Sequence, residues 1–143
     1  RRSTRPIFHV QHLSLVQNSP LRASHTGSEI MDCVKPKNGE LLFQKHVNSA
    51  FIGTGLEQQL RERGYDTLVV VGLTMPHCVS TTTRMAGNLG FRTYVVSDAT
   101  VTFDLVGHDR RRYSAEEIHA VSLATLHGEF ATVVDTEALL RSL

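Results

Sequence analysis

Thr67 to Gly90 reads TLVVVGLTMPHCVSTTTRMAGNLG. The unbroken, valine-rich run from Leu68 to Leu73 predicts a strand buried on both faces, as in a parallel sheet. After Pro76 a mixed segment runs on to Leu89 and predicts a helix that stops at Gly90. Cys78 stands where the strand gives way to that helix. A sulfur placed there meets the positive end of a helix dipole, which favours the thiolate. Free cysteine is also a common small core residue. Cys78 therefore reads either as packing or as a nucleophile, and its surroundings must decide.

Outward from this stretch the chain alternates strands with helices. Pro6 to His12 is β-rich and predicts a first strand. Ser14 to Asn38 is polar and punctuated by Pro20, Gly27 and Pro36, so it predicts a long surface excursion. Leu41, Leu42 and Phe43 begin a short strand ending at Lys45. Thr54-Gly55-Leu56-Glu57 has capping-box spacing, and Leu56 and Leu60 continue a helix to about Arg63, with Gly64 as its stop. On the other side, Thr93 to Ser97 predicts a strand and Ser114 to Glu117 a second capping box. Ile118, Val121, Ser122 and Thr125 mark the inner face of a helix reaching about Gly128. Ala131 to Val134 and Thr136 to Leu143 predict a last strand and a last helix. The pattern specifies an α/β fold: a three-layer α/β/α sandwich around a mostly parallel, Rossmann-like open sheet.

At 143 residues, 41% hydrophobic and 20% charged, the chain has the size and make-up of one folded domain. A formal charge of +1, with Arg110, Arg111 and Arg112 as the longest basic run, gives no phosphate-tracking surface for nucleic acid. The triplet reads as a solvated loop. No apolar stretch approaches the length of a membrane span and no signal-peptide pattern opens the chain, so a cytoplasmic location is expected. Cys33 and Cys78 read as reduced thiols.

Open parallel sheets put reactive groups beyond the carboxyl ends of their strands. Cys78 sits at such an end. The tight connection from Leu73 lets the backbone N–H groups of Thr74 and Cys78 converge on one point as an oxyanion hole. Lys45 ends another strand on the same edge and reads either as a surface charge, the commoner case, or as an ammonium near the sulfur that stabilises the thiolate. The histidines do not form a metal set: His9 and His12 are three apart on a strand, and His119 and His127 are too far apart on their helix to share one ion. His12, Phe51, His77 and Phe103, with Tyr113, are candidates for the pocket wall. Asp98 is read as shaping the turn Asp98-Ala99-Thr100.

The stretch VVVGLTMPHCVSTTTRMAGNLGFRTYVVSDAT, with Lys45 and Ser49-Ala50-Phe51 in KHVNSAFIGTGL, resembles the isochorismatase-like family of cysteine hydrolases. The lysine, the SAF segment and the cysteine fall in the family's order over nearly the whole chain. Most members are amidases with an Asp, Lys and Cys triad and a non-proline cis peptide before the cysteine. The resemblance implies Cys78 as nucleophile, Lys45 as the triad lysine and a cis bond between Leu73 and Thr74. It implies a small-molecule substrate, no cofactor, and a homodimer or homotetramer. The loop after His12 lacks the aspartate and histidines with which the family's nicotinamidases hold a metal, which weakens nicotinamide as the substrate.

The triad aspartate, expected after a first apolar strand, has no match in this sequence. The family pattern would have completed one strand and one helix by Arg1, and Arg1 to Arg5 reads as the end of that helix. Roughly thirty residues, one strand and one helix of a βαβ unit, are expected upstream. Three activities stay open: hydrolysis of a small amide or carbamoyl compound through an acyl-thioester on Cys78, non-catalytic binding, and vinyl-ether hydrolysis. Cys78 and Lys45 together favour the first.

Overall fold

A computed structural model describes residues 5–142 of the chain, so most of the helix end expected at Arg1 to Arg5 lies outside the described residues. The chain divides between Gln59 and Leu60 into two compact units.

In the first unit, β1 (Phe8–His12) and β2 (Leu41–Lys45) pair in parallel, with Phe8 opposite Leu41 and His12 opposite Lys45. Diagonal and directly opposed side chains on a sheet both interact. Phe8 stacks on Phe43 with ring centroids 6.1 Å apart, and Gln44 Nε2 donates to Gln11 Oε1 at 3.0 Å. The segment between the strands is an excursion of turns, as its prolines and glycines require. It is tied back by Gln11 Nε2, which donates to the Ser28 carbonyl at 2.7 Å. After β2, Ser49, Ala50 and Phe51 are all buried.

Helix α1 (Leu56–Glu62) carries the division between the units, with Leu56 and Leu60 buried one turn apart. Thr54 Oγ1 accepts from the Leu56 N–H at 3.3 Å and donates to the Ala50 carbonyl, so the hydroxyl ties the preceding turn to the helix.

The second unit is built on a parallel sheet in which β4 (Arg92–Val101) lies between β3 (Thr67–Leu73) and β7 (Thr132–Val134). One π-helical turn, Met75–Val79, leads into α2 (Ser80–Asn88), and Gly90, at φ +83°, ends the helix where a Cβ would be strained. Helix α3 (Ala115–Ala124) opens with the expected box: Ser114 Oγ accepts from the Glu117 N–H while the Glu117 carboxylate accepts from the Ser114 N–H. Helix α4 (Thr136–Ser142) follows β7. Met75, Val79, Val95, Leu126 and Ala131 form the core of this unit, with Val70, Leu123 and Phe130 packed against them. Gly87 lets α2 approach Phe130, because a Cβ there would lie 2.9 Å from the Phe130 carbonyl oxygen.

Four expectations are corrected. Strand β3 buries one face only: Val69, Val71 and Leu73 are exposed while Leu68 and Val70 are partly buried. An apolar run states what a strand can bury, whereas cover comes from other elements. The inner face of α3 is offset from the expected one, with Leu123 against the core and Val121 62% exposed. Asp98 lies within β4 and caps α4, its Oδ1 accepting from both the Thr136 N–H and hydroxyl at 2.8 Å. The arginine triplet expected in a plain solvated loop runs into a hairpin strand: β5 (Leu105–Val106) and β6 (Arg112–Tyr113) pair antiparallel. Two of its arginines are engaged, Arg112 with Asp104 at 2.6 Å and Arg111 stacked over Tyr113. No helix among the described residues is long and apolar enough to cross a membrane.

Candidate active site

In the second unit the site grows out of the end of β3. The peptide between Leu73 and Thr74 is cis. Thr74 then turns its carbonyl into the π turn, where it accepts from the N–H groups of His77 at 3.2 Å and Val79 at 3.3 Å. Pro76 has no N–H to satisfy at this position, which suits it to the first turn of a helical segment. Met75 and Val79 are buried and anchor the turn in the core, which leaves Cys78 partly buried between them and the start of α2. The Thr74 hydroxyl lies 3.0 Å from His77 Nδ1, so the histidine beside the cysteine braces the loop. Cys78 thus belongs to the first turn of a helical segment rooted at a strand's carboxyl end.

The first unit holds the other expected group. Lys45 is only 4% exposed. Its ammonium donates to His12 Nδ1 at 3.1 Å and to the Val47 carbonyl at 2.9 Å. The β1–β2 register produces this pair, because it sets His12 opposite Lys45 at the carboxyl ends of the two strands. The pKa of His12 lies below the ordinary histidine value, first through burial and then through the Lys45 charge; the Val47 carbonyl opposes the shift and His46 adds to it.

The other candidates separate into packing and surface. Phe51 is buried and belongs to the packed SAF segment, whereas Phe103 is 63% exposed. Tyr113 lines a groove of about 600 Å³ with Leu105, Ile118 and Val121, which reaches Pro76 of the cysteine loop. Three further histidines have structural partners: His9 pairs with Glu40 at 2.7 Å, His119 Nε2 lies 3.1 Å from the Thr100 hydroxyl, and His127 Nδ1 accepts from the Val133 N–H. Asp98 is held at the start of α4 by its hydrogen bonds from Thr136. Sequence reading placed His12 only on a pocket wall. Its contact with Lys45 depends on strand register, which neither residue signals alone.

The isochorismatase domain pattern matches residues 1–138. The chain belongs to the isochorismatase family of hydrolases. This isochorismatase-family chain is 48% identical over 134 residues to the uncharacterized isochorismatase family protein YrdC of Bacillus subtilis, covering 94% of this chain and 72% of that protein. It superposes on an isochorismatase-family crystal structure from Chromobacterium violaceum with a TM-score of 0.91 at 43% identity, over 96% of this chain and 71% of the other. The isochorismatase-like α/β fold, with a parallel sheet and flanking helices, follows from that match. Maleamate amidohydrolase of Pseudomonas putida is 30% identical over 129 residues, 90% of this isochorismatase-family chain and 54% of the enzyme.

Proposed function

We propose that the protein is a cysteine-dependent hydrolase of a small amide or carbamoyl compound, with Cys78 as nucleophile and Lys45 as the triad lysine. The observation that carries this reading is the seat of Cys78, in the first helical turn beyond the carboxyl end of β3, with core residues Met75 and Val79 on either side. Such a seat holds a sulfur still and keeps it within reach of a substrate. Relatives named as amidases, among them maleamate amidohydrolase and N-carbamoylsarcosine amidase, support the C–N bond as the target.

In this reading the Cys78 thiolate attacks the amide carbonyl carbon. The carbonyl oxygen becomes an oxyanion, received by the backbone N–H groups of Thr74 and Cys78. Collapse expels the amine, which takes a proton as it leaves, and an acyl-thioester remains on Cys78. Water then attacks the thioester, releasing the acid and returning the thiol. The family's aspartate, for which residues 1–143 offer no match, is the group that would accept the thiol proton.

Ammonia release from a panel of maleamate, N-carbamoylsarcosine, ureidoacrylate and nicotinamide tests the proposal. Cys78→Ala is expected to lower turnover of any accepted amide by at least about a thousandfold, with its melting temperature close to that of the parent. Turnover that survives Cys78→Ala would overturn it.

A further inference from the structure

We propose that His12 is a positioning residue for Lys45: a neutral imidazole, protonated at Nε2 only, whose Nδ1 lone pair holds the lysine ammonium in place. This inference rests on the reading of Lys45 as the triad lysine.

An ammonium has three donors and no acceptor, and burying it demands acceptors around it. Lys45 is almost wholly buried, and His12 Nδ1 lies 3.1 Å from its nitrogen with the Val47 carbonyl at 2.9 Å. A hydrogen bond at that distance requires an unprotonated Nδ1, so the ring's proton sits on Nε2. An imidazolium in the same place would set an N–H against an N–H and one positive charge against another. The groups that act on His12 are Lys45, His46 and the Val47 carbonyl. The two side chains disfavour protonation of the ring and the carbonyl favours it. His46 in turn lies with Nδ1 2.7 Å from the Leu13 carbonyl, which the ring meets as an N–H donor. Two strand ends, one on each side of the β1–β2 ladder, thus build a socket that accepts one cation. Protonating His12 removes an acceptor from that socket and adds a second cation to it.

Imidazole ¹⁵N spectra of the intact protein, recorded across pH, test the pairing directly. The expected result is a His12 ring in the Nε2–H form that titrates below the ordinary histidine value, moving upward in Lys45→Met. A His12 that carries its proton on Nδ1, or whose titration ignores Lys45→Met, would overturn the proposal. The wild-type tautomer decides the matter even where Lys45→Met does not fold.

The functional arm uses iodoacetamide alkylation of Cys78 against pH. His12→Asn, which keeps an acceptor, is expected to stay within a few-fold of wild type near pH 8 and to lose the inflection that His12 contributes on the acid side. His12→Leu is expected to fall at least about tenfold, the loss of one hydrogen bond to a charged group. Equal rates for Asn and Leu, or an acid limb unchanged in both, would overturn the positioning role. Alkylation that ignores Lys45→Met while the His12 spectra respond to it would sink the triad reading of Lys45 and leave the pairing standing.

Discussion

Lys45 and His12 are chemically ordinary residues made unusual by what surrounds them. A lysine stripped of water keeps its charge only where acceptors replace the water, and the imidazole lone pair is one of them. The pairing has a consequence for stability that is separate from catalysis. In the folded protein the pKa of His12 lies below its ordinary value of 6.5, so between the two values the unfolded chain binds more protons than the folded one. Stability therefore rises with pH across that window. The contribution of His12 is fully present above about 6.5 and is lost as pH falls toward the folded value. Melting temperatures of wild type and His12→Asn, measured from pH 7.5 downward, are expected to converge as pH falls through the window. A constant offset at every pH would show that the ring does not titrate differently on folding. The places of Cys78 and Lys45, at or just beyond strand ends, were legible in the sequence from the apolar runs that precede them. His12 was not legible in this role, since its partner lies across a ladder that no local pattern encodes.

At the scale of single elements, capping chemistry shows what spacing can and cannot say. Ser114 and Glu117 form the reciprocal box that their spacing promises, and at the other expected box the Thr54 hydroxyl bridges the Ala50 carbonyl and the Leu56 N–H. The β5–β6 hairpin went unread. Each strand is two residues long, too short for alternation to register. Helix α2 carries an internal cost that its sequence hides: Thr83 is fully buried and its Oγ1 has no hydrogen-bond partner among the described residues. A buried hydroxyl without a partner is more costly than a methyl group in its place. Thr83→Val is expected to raise stability by about 1 kcal/mol and the melting temperature by about 3 °C, read by denaturant and thermal unfolding. A loss of stability would mean that the hydroxyl is satisfied in solution.

Across the whole molecule the deciding question is which faces of the sheet are covered. The alternation of strands and helices made the α/β class legible, because parallel pairing needs crossovers of that kind. It did not reveal cover. Val95, at the centre of β4, is fully buried, while Val71 on β3 is 56% exposed, although both stand in valine-rich strands. A polar group should therefore cost very different amounts at the two places. Val95→Thr places a hydroxyl among Met75, Val79 and Leu126 and is expected to cost about 2 kcal/mol. Val71→Thr keeps a β-branched shape at a face open to water and is expected to change stability by no more than about 0.5 kcal/mol. Urea unfolding of the two variants in parallel reads the contrast. A cost at Val71 that approaches the cost at Val95 would mean that the outer face of β3 is covered in solution, and that the apolar run from Leu68 to Leu73 is buried on both sides as its composition implies.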